Sequence, residues 1–122
     1  MNPIARVLLL AGAALAIFAS AASAHAFVDH ASPAVGSAVD LPPAEVKIWF
    51  TENVEPAFSG IEVTNAAGKP VDKKDSHVDA KNHAELVVSL TNLPPGTYQV
   101  TWHVVSADTH KTHGDLKFTV KP

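Results

Sequence analysis

Tyr98-Gln99-Val100-Thr101-Trp102-His103-Val104 alternates without a break: Tyr98, Val100, Trp102 and Val104 on one side, Gln99, Thr101 and His103 on the other. A two-residue period of this kind marks a half-buried strand. Upstream, Leu93-Pro94-Pro95-Gly96 is a tight turn, and Leu86, Val88 and Leu90 alternate with Val87 and Ser89 before it. Downstream, Leu116-Lys117-Phe118-Thr119-Val120 repeats the pattern almost to the end of the chain. Nearer the amino terminus, Val46, Ile48 and Phe50 alternate with Lys47, Trp49 and Thr51, and Ile61 and Val63 with Glu62 and Thr64. Ala26 to Ser32 is short enough for an edge strand that stops at Pro33, and the polar stretch Val71 to His83 has room for a weak strand near Val71 or Val78. Pro- and Gly-bearing turns separate these runs, and none has a helical period. Six or seven short strands predict an all-β sandwich or small barrel.

The first 24 residues have a different character. Arg6 precedes an apolar run from Val7 to Phe18, and Ala22-Ser23-Ala24 supplies a small-residue exit, the three parts of a secretory signal. Twelve apolar residues fall short of the ~20 that a membrane-crossing helix needs. Cleavage after Ala24 would leave one exported domain, residues 25–122, with no later segment apolar enough to insert in a membrane. Arg6 is the one basic residue in the leader, so the remainder sets eight basic residues against twelve acidic ones, a net charge of −4. That balance argues against a nucleic-acid partner, which calls for a basic patch. The chain has no cysteine, and its one methionine is Met1, so neither thiolate nor thioether ligands are available to the mature domain.

Two features point to a metal. Asp108 and His110, in Val105-Ser106-Ala107-Asp108-Thr109-His110, are two positions apart; on an extended backbone their side chains lean the same way from alpha carbons roughly 6.6 Å apart. The stretch from Ser106 to Gly114 is expected to be the loop between the last two strands, where binding residues tend to sit. Independently, His25 follows the cleavage pattern, so it would begin the mature protein with a free amine and an imidazole on one residue. Two or three nitrogens with one carboxylate oxygen suit Cu(II) in tetragonal geometry better than a cysteine-rich structural zinc site. Amine and imidazole must shed protons to coordinate, so affinity is expected to weaken towards pH 5. His113, three residues past His110, is a candidate neighbour or extra ligand, and Glu52 a strand-end carboxylate. His30, His77, His83 and His103 read mainly as surface or packing residues. No Gly-x-Ser-x-Gly elbow, phosphate-binding glycine loop or His-Glu-x-x-His helix is present, and the chain is not expected to be an enzyme.

The sequence resembles the CopC family of periplasmic copper-resistance and copper-carrier proteins. The resemblance rests on His25, Ser32-Pro33-Ala34-x-Gly36-Ser37, Ile48-Trp49-Phe50-Thr51-Glu52-Asn53, Phe58-Ser59-Gly60, Pro95-Gly96-Thr97-Tyr98-x-Val100-x-Trp102, Val105 to His110 and Gly114-x-x-x-Phe118-x-Val120. It implies a Greek-key β-barrel or sandwich of about seven strands, similar to a cupredoxin or Ig-like domain, that binds one Cu(II) per chain. Its ligands fall on the amine and ring of His25, on Asp108 and on His110, with Glu52 as an outer or second-shell group. Some members carry a methionine-rich loop for Cu(I); the matching region here, roughly Val63 to Lys81, has no methionine. The expected partners are copper itself and a separate CopD-like inner-membrane transporter or another periplasmic copper protein. A copper oxidase or monooxygenase with a histidine-brace-like site is the alternative reading of the same ligands.

Overall fold

The structure, a computed structural model, describes residues 26–122; the leader and His25 lie outside the described residues. Eight strands follow one another: β1 (Val28–Ser32), β2 (Ala38–Val39), β3 (Glu45–Phe50), β4 (Gly60–Thr64), β5 (His77–Val78), β6 (Glu85–Ser89), β7 (Gly96–Val105) and β8 (Lys111–Val120), with one 3-10 turn at Pro56–Phe58 between β3 and β4. They form two four-stranded sheets, ordered β1-β3-β6-β5 and β2-β8-β7-β4. The predicted all-β sandwich is therefore present, with β1 at an edge as expected. No helix among the described residues is long and apolar enough to cross a membrane.

Burial follows the alternation read from the sequence. Tyr98, Val100, Trp102 and Val104 point inward from β7 and meet Leu116, Phe118 and Val120 of β8. Val46, Ile48 and Phe50 of β3, with Leu86 and Val88 of β6, face them from the other sheet. Phe50 and Trp102 meet edge-to-face across the layers with centroids 5.1 Å apart, and Tyr98 and Phe118 stack at 5.5 Å. Each fully buried aliphatic or aromatic side chain contributes roughly 1.5–3 kcal/mol, and with no disulfide this core is what holds the sheets together. The Tyr98 hydroxyl donates to the carbonyl of Pro94, fixing the corner where the chain leaves β6 in one sheet and enters β7 in the other.

Three local expectations change. β2 arises inside the Pro-rich connection of residues 33–44, pairing parallel to the end of β8; two residues are too few to show a period. Val87, on the outward face of β6, is nonetheless 6% exposed, because it lies between Lys47 and His77 on the neighbouring strands. The largest change is in β8, which begins at Lys111 rather than near Leu116, so the expected Ser106–Gly114 loop shrinks to Ser106–His110. No apolar alternation announces residues 111–115, because their inward positions hold Thr112 and Gly114. Gly114 is small for a reason: a β-carbon there would stand 2.8 Å from Cζ2 of Trp102, whose indole covers the glycine.

The polar segment before β5 also has a structural task. β4 is an edge strand, and its outward amides are capped by side chains: Ile61 N donates to Ser76 Oγ at 2.9 Å and Val63 N to Asp72 Oδ2 at 3.0 Å. Capping satisfies the edge without offering it to another chain.

Gly114→Ala should destabilise the domain by about 1–3 kcal/mol in urea denaturation, the usual cost of overpacking. Combining it with Trp102→Phe should cost less than the two single losses added together; simple additivity would mean that the indole is not what the new methyl meets.

Candidate metal centre

The β7–β8 hairpin closes through a three-residue loop, Ala107-Asp108-Thr109. Thr109 N donates to Ser106 O at 2.9 Å, and Ser106 N to His110 O at 2.9 Å. Thr109 sits at φ +71°, the left-handed position that such a loop needs in its third residue. The backbone between Asp108 and His110 is thus a tight reversal, not the extended segment expected. The two side chains nevertheless come together by another route: His110 Nδ1 stands 3.2 Å from Asp108 Oδ2, with both side chains about half exposed.

Ser106 anchors this pair. It continues the inward face of β7 after Trp102 and Val104, is fully buried, and donates its hydroxyl to Asp108 Oδ1. That hydrogen bond, reinforced by the His110 imidazole against partial desolvation, holds the Asp108 carboxyl below the ordinary carboxylate range. Asp108 is therefore ionised and aimed. Sequence reasoning missed Ser106; the signal was a serine standing where the inward face of β7 calls for a hydrophobe.

The start of the described chain is tied to the same end of the sandwich. Ala26 is fully buried, and its carbonyl accepts a hydrogen bond from Thr112 Oγ1 at 2.9 Å. Phe27 N donates to Thr51 Oγ1 at 3.0 Å, and Thr51 N returns a bond to Phe27 O at 2.8 Å. The carbonyl of Asn53 accepts from Ala107 N at 3.1 Å, and Val54 bridges to Ser106. The Thr51-Glu52-Asn53 segment therefore touches both the Asp108 loop and the first residues, with Glu52 half-buried at its centre. Thr112 is a second residue that sequence reading passed over.

The remaining histidines are dispersed. His113 is in β8, not in a loop, and on the face opposite to Thr112, directed away from Ala26. His103 is its cross-strand partner. His30 pairs with Asp29 at 2.7 Å and stacks on Trp49 on the outer face of the other sheet. His77 Nδ1 bonds the carbonyl of Asp75, and His83 is exposed. Among the described residues no three histidine or carboxylate groups gather as a metal site; Asp108 and His110 come together as a pair. A carboxylate and an imidazole are ordinary ligands of several divalent ions, copper, nickel and zinc among them.

Comparison with known proteins agrees with the fold. The CopC domain family model matches residues 28–121. Protein YobA of Escherichia coli K12 is 38% identical over 99 residues, covering 80% of each chain. The crystal structure of CopC from Methylosinus trichosporium OB3b superposes with a TM-score of 0.71 at 36% identity, covering 80% of this chain and 95% of that one. PcoC, described as a methionine-rich copper resistance protein from Escherichia coli, gives a TM-score of 0.70 at 34% identity over 80% of this chain and all of its own. With the family model spanning all eight strands and the fold agreeing, the chain belongs to the CopC family of copper-resistance proteins.

Proposed function

We propose that this protein is a periplasmic Cu(II) carrier or buffer, without catalytic activity, that binds one Cu(II) through the His25 amine and imidazole, Asp108 and His110. The observation that carries the proposal is the pairing of a preset Asp108–His110 clamp with an anchored Ala26. Signal cleavage after Ala24 would create an amino terminus one residue before Ala26, a Cα step of about 3.8 Å. Thr112, which holds Ala26, is two residues past His110, roughly 6.6 Å along a strand. A terminal chelate and the loop would then close on one ion. The amine and two imidazoles supply nitrogen, and the ionised Asp108 offsets part of the ion's charge. Glu52 is close enough in the chain to Asn53 and Thr51 to serve as an outer group.

Cu(II) is preferred because a nitrogen-rich set with one carboxylate suits tetragonal coordination. A Cu(I) site is not part of the proposal: the segment that would carry methionines holds instead the Asp72 and Ser76 caps of β4. Copper handed on by this protein would go to a separate acceptor, a CopD-like membrane transporter or another periplasmic copper protein.

In a competitive Cu(II) titration, a form beginning at His25 should bind far more tightly than one with a single extra alanine before it. Equal binding would remove the terminal amine from the site. Asp108→Ala and His110→Ala should each weaken Cu(II) binding by orders of magnitude while leaving the metal-free unfolding midpoint nearly unchanged, since both side chains are half exposed. Affinity should fall as pH drops from 7.5 to 5, because amine and imidazole nitrogens must be free of protons to bind the ion. Asp108 should contribute nothing to that slope, because its carboxyl titrates below the ordinary range. Copper-loaded protein given a reductant and oxygen should turn over no faster than free copper.

A further inference from the structure

The hairpin that carries Asp108 and His110 holds a second pair of potential ligands on its outer face. His103 of β7 stands directly opposite His113 of β8. The backbone fixes which kind of pair this is. Ser106 N bonds His110 O, which makes Val105/Lys111 a pair without mutual hydrogen bonds. Pairs alternate along an antiparallel ladder, so His103/His113, Thr101/Asp115 and Thr97/Thr119 belong to the same narrow column, with alpha carbons about 4.5 Å apart. Two members of the column have their side chains in contact: Thr101 Oγ1 donates to Asp115 Oδ1 at 3.0 Å, and the hydroxyls of Thr97 and Thr119 are 3.2 Å apart. The histidine pair is the next step along.

Both imidazoles are exposed, and among the described residues neither has a hydrogen bond, ion pair or ring contact. His103 rests against Gly60 on its other flank: a β-carbon there would meet Cε1 at 3.0 Å and Nε2 at 3.3 Å. Turning that ring towards β8 breaks no hydrogen bond. It opens into a groove of about 770 Å³ lined by His103 and His113 together with Phe58, Thr109 and Lys111. The column's own charges are Lys111 on one side of the pair and Asp115, then Lys117, on the other, and Glu62 on β4 lies opposite Thr101. These four charges cancel, so the surroundings set no net positive charge against a cation.

We propose that His103 and His113 form a second, weaker site for a divalent transition-metal ion, clamped by two imidazoles across the strand pair. Among the described residues no third histidine or carboxylate completes the set in the resting arrangement, which leaves the remaining positions for water. Imidazole suits copper, nickel and zinc, and Cu(II) leads them in affinity. The site is distinct from the Asp108–His110 centre. His113 is three residues from His110, roughly 10 Å along β8, and Thr112 between them turns the opposite way to hold Ala26. Both sites can therefore be filled at once, doubling the copper one chain can hold when the ion is abundant. The inference stands on the hairpin register alone and does not depend on the ligand set proposed for the first site.

The test is a Cu(II) titration of the mature protein already loaded with one equivalent, with the histidine resonances followed by NMR. A second equivalent should bind and broaden the imidazole signals of His103 and His113 first. His103→Gln and His113→Gln should each weaken that second event at least as much as the about 10–100-fold typical of losing even an outer-shell partner, while leaving the first event intact. His77→Gln and His83→Gln should leave both unchanged. Asp108→Ala should weaken the first event by orders of magnitude and preserve the second, which separates this proposal from the one above. Unaltered uptake of the second equivalent in both His103→Gln and His113→Gln would overturn it, as would saturation at one equivalent. Metal-free unfolding midpoints matching the parent protein confirm that each variant is folded.

Discussion

The antiparallel register between β7 and β8 is the constraint on which the rest depends. It sets Trp102 against Gly114, so the indole fills the space a side chain would take and caps the core. The same ladder sets Val105 against Lys111, and the Ser106–His110 closure beyond it leaves three residues to reverse the chain and brings Asp108 beside His110. It also turns Thr112 inward to meet the carbonyl of Ala26. A one-residue slip would send every one of these side chains to the other face. Core packing and candidate ligands are therefore not separate achievements of the fold. The interactions that stabilise the hairpin also place the donors.

This coupling accounts for the unusual residues at the loop. A threonine at φ +71° is uncommon, and such positions cost on the order of 1–3 kcal/mol. Thr109 is held there from both sides, by its own amide bond to Ser106 O and by the Ser106–His110 closure beyond it. Ser106, fully buried, has its hydroxyl satisfied by Asp108 and so incurs no penalty for an unpaired polar group. Its bond fixes the carboxylate's direction before any ion arrives. In the proposed site, a carboxylate on a short loop closed by a ten-residue ladder would have little freedom left to lose on binding, and preorganisation of this kind converts into affinity.

Much of this was legible in the chain itself. The alternation of Tyr98 to Val104 gave the inward face of β7 residue by residue, and Val46, Ile48 and Phe50 did the same for β3. The Asp108/His110 pair stood out as two donor types at a close spacing. What could not be read was geometry that leaves no hydrophobic trace. The first half of β8 is a strand because of the partner it pairs with, and its inward positions are a threonine and a glycine. Ser106 and Thr112 look like ordinary loop residues until the ladder aims one at Asp108 and the other at Ala26. The His103/His113 pair is invisible for the same reason: ten residues separate them, and only the register sets them face to face.

The segment between β4 and β5 links this architecture to oxidation state. Asp72 and Ser76 stand in for a missing neighbouring strand, and Asp72 Oδ1 also accepts from Lys74 N at 2.8 Å. Side chains committed to backbone amides in this way hold the segment against β4 and leave it ill suited to wrap a soft cation. Beyond Met1 the chain also has no methionine, and it has no cysteine, to offer one. The donors proposed for copper are imidazole, amine and carboxylate, which favour Cu(II), whereas thioether and thiolate favour Cu(I). A carrier built this way would hold copper in its oxidised form. Reduction of the ion would weaken its grip, so that a reducing acceptor could draw copper off without any movement of the sandwich.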